Sequence, residues 1–203
     1  MRVLIACEFS GVVRDAFIRQ GHDAMSCDLL PTEVPGPHYQ GDVFDIIDDN
    51  WDLMIAHPPC TYLSKAGARW LHRGGGIDPD RSAKGMLAKS FFLRLLDAEI
   101  PRIAVENPTP LRYFGLPQPT QVIQPYEYGE PFSKRTLLWL RGLPPLVPTR
   151  ILSEYTPFMP SNTSGFARGK GGSRGTAHDA STASRTFRGI AQAMATQWGG
   201  KSA

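Results

Sequence analysis

Trp51-Asp52-Leu53-Met54-Ile55-Ala56-His57-Pro58-Pro59-Cys60 is the stretch on which the fold turns. Trp51 to Ala56 is mostly apolar and of strand length. The two prolines end it, because they cannot continue a hydrogen-bonded ladder and they stiffen the backbone. Cys60 is thereby delivered at the carboxyl end of a strand, the edge of an open α/β sheet at which ligands bind. A free cysteine is most often a small buried hydrophobe. This one sits instead on a polar, proline-fixed turn running through Thr61, Tyr62, Leu63 and Ser64, which points to a nucleophile.

Working outward, Arg2 to Cys7 forms a compact apolar run that breaks at Glu8-Phe9-Ser10-Gly11 into a segment with apolar Val12, Val13, Ala16 and Phe17. That pattern predicts strand, tight turn, then amphipathic helix. Gly11 is expected to let the backbone approach a ligand at the helix start. Asp23 to Leu29 reads as a second strand with Asp28 at its end, roughly 20 residues beyond the glycine turn, where an acid can accept hydrogen bonds from ribose hydroxyls. Asp42 is expected at the end of a third strand, placed for an exocyclic amine, with a helix cap or turn as its alternative role.

Downstream of Cys60, Gly74-Gly75-Gly76 predicts a mobile loop able to close over a substrate. Ser82 is expected to cap a helix running to about Ala98, with Met86, Leu87, Phe91, Leu93, Leu95 and Leu96 as its apolar surface. Pro101 to Val105 predicts a buried strand ending in the polar Glu106-Asn107-Pro108. An acid and a thiol at adjacent strand ends make a more specific signal than either alone. Thr136 to Leu140 reads as a late strand entered from Ser133-Lys134-Arg135, which brings two cations to the same region. Phe187, Ile190, Ala191, Met194, Ala195 and Trp198 are spaced for one face of a closing helix over about 187–198.

The 203 residues fit one domain, and 41% hydrophobic with 20% charged content is that of a soluble globular chain. No apolar run approaches bilayer length, and MRVLIACEFSG lacks a basic region followed by a long apolar core, so neither membrane association nor a secretory signal is expected. Three cysteines without paired spacing argue for a reducing compartment, and a cytoplasmic location is the expectation. The five histidines are scattered, so no metal is expected. The net charge of +3 is mild but uneven: from Thr149 onward Glu154 and Asp179 face seven Lys and Arg, including Arg168, Lys170, Arg174, Arg185 and Lys201. That suits a phosphate-bearing partner or a merely solvated, Gly/Ser-rich insert at about 147–185. Composition and charge leave the oligomeric state open.

Taken together these residues resemble the cytosine-5 DNA methyltransferases. Phe9-Ser10-Gly11 is similar to that family's first cofactor motif, Asp28 and Asp42 fall where its ribose and adenine contacts lie, and Pro58-Pro59-Cys60 with Leu63-Ser64 and Ala66-Gly67 is similar to its nucleophile motif. Val105-Glu106-Asn107 follows in the same order, and Phe187 to Trp198 resembles the closing helix. Departures are Thr61 for the usual Gln, Pro108 for Val, Leu137 in place of a second arginine, and a target recognition region reduced to roughly Val147 to Arg185.

The resemblance implies a Rossmann-like, S-adenosylmethionine-dependent methyltransferase fold, α/β with a mostly parallel sheet and helices on both faces, spanning residues 1–203 as a single domain. It implies Cys60, Glu106 and Arg135 as catalytic residues, with Phe9, Ser10, Gly11, Asp28, Asp42 and Pro58 binding S-adenosylmethionine. Ser64, Asn107 and Lys134 are then candidates for binding the substrate. The expected partner is DNA or a pyrimidine nucleotide. Carbon 5 of cytosine is too electron-poor to attack a methyl donor unaided, and a thiolate added at carbon 6 makes it nucleophilic. Glu106 would relieve charge at ring nitrogen 3, and Arg135 would hold a phosphate or the base carbonyl. Three alternatives stand beside this: methylation of free nucleotides such as deoxycytidine monophosphate or of single strands; amino-methylation, for which Tyr62 lies two positions late; and a catalytically silent fold that binds nucleic acid through its basic C-terminal region.

Overall fold

The computed structural model describes residues 1–73, 75–158 and 185–200. Seven strands form one sheet: β1 (Arg2–Ala6), β2 (Asp23–Asp28), β3 (His38–Gln40), β4 (Leu53–Ala56), β7 (Arg102–Pro108), β8 (Gln121–Ile123) and β10 (Thr136–Arg141). Short two-stranded pairings add β5 (His72–Arg73) with β6 (Gly76–Ile77), and β9 (Phe132–Ser133) with β11 (Thr156–Pro157). The main order is β3-β2-β1-β4-β7-β10-β8. The first five strands are parallel, and β10 runs antiparallel to both β7 and β8. This is the mostly parallel, doubly wound α/β sheet that the sequence predicts, with a switch point beside β1.

Strands buried on both faces read as continuous apolar runs. Val3, Leu4, Ile5 and Ala6 of β1 and Leu53 to Ala56 of β4 are accordingly fully buried. Their side chains alternate between two cores. Ile5, Ile55, Ala104 and Leu138 face α1 (Val12–Arg19) and α4 (Arg188–Gly199), whereas Ala6, Ala56, Val105 and Leu137 face α3 (Pro79–Leu96). A short helix, α2 (Ala68–Leu71), follows the Cys60 turn. The closing-helix stripe packs as expected: Ile190, Ala191, Met194, Ala195 and Trp198 bury against Val13, Ala16 and Phe17 of α1.

Several expectations are corrected. Helix α3 begins at Pro79, not at Ser82: Asp78 accepts the Arg81 N–H at 2.8 Å, and a proline in the first turn gives up no hydrogen bond. Ser82 lies inside the helix, with its hydroxyl 2.8 Å from that of Tyr113. The helix buries the stripe Gly85, Phe92 and Leu95, and leaves Met86 and Leu87 exposed. Glu106, Asn107 and Pro108 belong to β7 itself, because β10 pairs with it as far as Pro108. Gly11 does adopt a left-handed conformation, at φ 74°, but the close approach it permits is to protein: a Cβ there would overlap Val34 and the Arg14 guanidinium. Gly74 and most of the basic insert at 147–185 lie outside the described residues.

Arg14 explains the Gly11 contact. It is fully buried, and donates to Ser26 Oγ and Thr32 Oγ1 at 3.2 Å and to the carbonyls of Val34 and Pro35 at 3.2 and 3.3 Å. The loop after β2 is therefore clamped over the start of α1.

Candidate active site

All candidate residues from β1, β2, β4 and β7 converge on the carboxyl edge of the sheet. β4 and β7 are parallel neighbours whose last register pair is Ala56 with Val105. The next residues along each strand, His57 and Glu106, therefore stand side by side. His57 Nδ1 lies 3.6 Å from Glu106 Oε2, with the two side chains 8% and 19% exposed. Burial alone would raise the Glu106 carboxyl, but His57 and Lys134 outweigh it and hold the group below the usual carboxylate range. It is thus ionised at neutral pH.

Cys60 follows on a tight turn, its carbonyl accepting the Leu63 and Ser64 N–H groups at 3.1 and 2.9 Å. Burial first, and then the Glu106 charge, push its thiol up, while Lys134 opposes them. Glu106 and Lys134, which line one cavity, thus act on the Cys60 thiol in opposite directions. Arg135 is exposed, so the cation acting on the thiol and the carboxylate is Lys134. Asn107 is fully buried and, by strand alternation, on the face opposite Glu106; its Nδ2 donates to the Pro108 carbonyl at 2.6 Å. Ser64 is buried beside the turn, in a bridge with Pro110.

Two cavities flank the Cys60 turn. One, of about 560 Å³, opens at the ends of β1, β2 and β4; Cys7, Asp28, Asp42, Pro59 and Tyr62 line it, with Leu87, Ala88 and Phe91 of α3 as an apolar wall. Cys7 reaches it from a left-handed backbone at φ 57°, a conformation rare outside glycine. Burial, then the acids Asp28 and Asp42, push the Cys7 thiol well above its usual value, and Cys27 is pushed up to about 12 by burial and the same acids. Asp28 Oδ1 accepts the Leu30 N–H at 2.9 Å, and Asp42 Oδ1 caps a short helical turn (Val43–Asp45) through the Phe44 N–H at 3.0 Å. Among the described residues, the second carboxylate oxygen of each accepts no hydrogen bond. Phe9, Ser10, Gly11 and Pro58 are not among the lining residues. Ser10 is committed to Glu8, and Pro58 is buried.

The second cavity is of about 20 Å³, room for one water, and is lined by His57, Glu106, Lys134 and Thr136 beneath Arg185, Thr186 and Phe187. His57 thus lines one cavity and Pro59 the other, with Cys60 half-buried on the turn and lining neither.

Sequence reasoning passed over His57 and Glu8. The signal for His57 was its offset: it stands one residue beyond the β4 apolar run, as Glu106 stands one beyond Val105. Glu8 was hidden because its role is local. Among the described residues no group of three or more His, Cys, Asp or Glu could hold a metal ion, and no helix is long and apolar enough to cross a membrane.

No family model matches the chain, and no curated protein matches it. Solved structures do. One is a protein assigned as a DNA modification methyltransferase encoded within an E. coli prophage, with TM-score 0.46 and 15% identity over 69% of this chain and 46% of that one. A second is the Entamoeba histolytica methyltransferase EhMeth, with TM-score 0.45 and 14% identity over 75% and 57%. A third is a mutant DNMT2 of Spodoptera frugiperda, with TM-score 0.39 and 18% identity over 79% and 55%. The chain spans about half the length of these structures.

Proposed function

We propose that this chain methylates carbon 5 of cytosine in DNA, with S-adenosylmethionine as donor and Cys60 as a transient covalent nucleophile. One observation carries the reading: the parallel β4 and β7 neighbours bring the Cys60 turn and Glu106 to one sheet edge, beside a cavity of about 560 Å³ that holds two carboxylates.

S-adenosylmethionine fits the residues of that cavity. Its size suits a nucleoside-sized ligand, Asp28 and Asp42 each have an oxygen left for ribose hydroxyls or an exocyclic amine, and the α3 wall is apolar. When bound, it supplies an electrophilic methyl group. The chain's own residues prepare the base. Cys60 adds through its minor ionised form, which Lys134 favours and Glu106 disfavours. Glu106 binds the amidine edge of cytosine and, once protonated, gives a hydrogen bond or a proton to ring nitrogen 3 as charge develops there. The small cavity by Glu106 is far too narrow for a pyrimidine ring. Entry of the base therefore requires the lining of that cavity to open.

Trapping tests this. The protein is incubated with S-adenosylmethionine and 5-fluorocytosine in duplex DNA, in a single strand and as the free nucleotide, and the adduct is mapped by mass spectrometry. A stable adduct on Cys60 is expected with duplex DNA. No adduct with any of the three, or an adduct on another residue, refutes the reading. The same experiment weighs a second reading, in which the chemistry acts on free pyrimidine nucleotides or single strands. That reading is favoured by the short length of chain between β10 and α4, which leaves little room for a groove-reading domain.

A further inference from the structure

His57 carries a feature that the proposed chemistry has not used. Its side chain is 8% exposed, and neither ring nitrogen has a hydrogen-bond partner among the described residues. A buried imidazole without partners costs stability unless something completes it. Its Nδ1 is 3.6 Å from Glu106 Oε2, slightly beyond hydrogen-bond length, and the ring borders the water-sized cavity. The other charged groups around that cavity are Lys134 and Arg185; Cys60 shares the β4 exit turn, and Cys7 and Glu8 lie at the neighbouring β1 exit. Glu8 is engaged by the start of α1.

We infer that His57 is a positioning residue that orients the Glu106 carboxylate and reloads it with the proton delivered to ring nitrogen 3 of the pyrimidine. The inference rests on the reading of Cys60 as nucleophile. The proton balance closes within the site. The Cys60 thiol first loses its proton to solvent. As the sulfur–carbon 6 bond forms, the carbon 5–carbon 6 π pair shifts toward carbon 4, and the carbon 4–nitrogen 3 π pair moves onto nitrogen 3. The imidazolium passes its proton to the Glu106 carboxylate, which hands it on to nitrogen 3, leaving His57 neutral and Glu106 ionised as before. When the sulfur later departs, the nitrogen 3 proton returns by the same route. The carboxylate alone cannot do this at neutral pH, because it is ionised.

The pH dependence tests it. The rate of adduct formation with 5-fluorocytosine oligonucleotide and S-adenosylmethionine is measured from pH 6 to 9 for the wild type and for His57→Gln. In the wild type the loss of the imidazolium proton opposes the gain in thiolate as the pH rises, and the rate levels off. In His57→Gln the rate at pH 7 falls roughly tenfold to a hundredfold, and it keeps climbing about tenfold per pH unit. A wild-type rate that climbs like the variant's overturns the role of His57 and leaves Cys60 in place. Absence of any wild-type adduct overturns both. Binding of S-adenosylmethionine by His57→Gln checks its fold; should that variant not fold, the wild-type profile alone decides.

Discussion

The Val13 N–H donates to Glu8 Oε1 at 2.9 Å across the turn joining β1 to α1, and the Ser10 hydroxyl donates to the same oxygen at 2.8 Å. A buried carboxylate thus occupies the amino end of α1, where free N–H groups and the helix dipole favour negative charge. Glu8→Ala would strand these donors and is expected to cost about 2–3 kcal/mol. Urea unfolding at unchanged m-value measures it, and a loss below about 0.5 kcal/mol would show that water replaces the carboxylate without penalty.

Cys60 is expected to be the first of the three cysteines to react with iodoacetamide. All three thiols are pushed up, but Cys7 and Cys27 face both burial and the Asp28 and Asp42 charges, whereas Lys134 tempers the rise at Cys60. Glu106→Gln removes a cause of the rise and should speed alkylation at pH 8, whereas Lys134→Met should slow it. Peptide mass mapping with time reads both, and opposite signs would contradict the electrostatic grouping.

The Glu106 carboxyl titrates below its usual range, so its charged form is favoured by folding. The corresponding stability is present above the unfolded carboxylate value, near 4.3, and is lost as the pH falls through the lower folded value. Wild type should therefore exceed Glu106→Gln in stability at pH 6 by more than at pH 3. Denaturation midpoints of the two proteins across that interval check it; a constant gap contradicts the pairing with His57 and Lys134.

Asp42 has two separable jobs. Asp42→Ser retains a capping oxygen for the Phe44 N–H and should cost little stability, whereas Asp42→Ala should cost about 1 kcal/mol. Both remove the carboxylate that lines the larger cavity, and both should weaken S-adenosylmethionine binding, roughly tenfold by loss of one charge-assisted hydrogen bond. Calorimetric binding and thermal melts separate the two effects. Unchanged affinity in Asp42→Ser would leave Asp42 as a cap alone.

The central sheet was legible because parallel strands buried on both faces must be unbroken apolar runs, as β1 and β4 are, and because polar residues close those runs where the chain leaves the sheet. The α4 stripe was legible because its apolar residues recur at helical spacing along one face. The start of α3 was not, since Asp78-Pro79 and Ser82 both carry capping chemistry and only packing chooses between them. Nor was the membership of Glu106 to Pro108 in β7, which depends on β10, an antiparallel partner distant in sequence. Gly11 signalled a close approach correctly but not its object, which is the Arg14-clamped loop. Of the two cations before β10, sequence favoured Arg135, and orientation about the strand entry turned Lys134 inward.

Alternation along β4 makes chain length there a matter of parity. Ala56 faces α3, His57 the opposite layer, and the proline pair then carries Cys60 to the divide between the two cavities. One residue added within β4 would exchange odd for even, burying the imidazole on the wrong side and presenting Glu106 with a different neighbour. This short segment is therefore a ruler graduated in single residues.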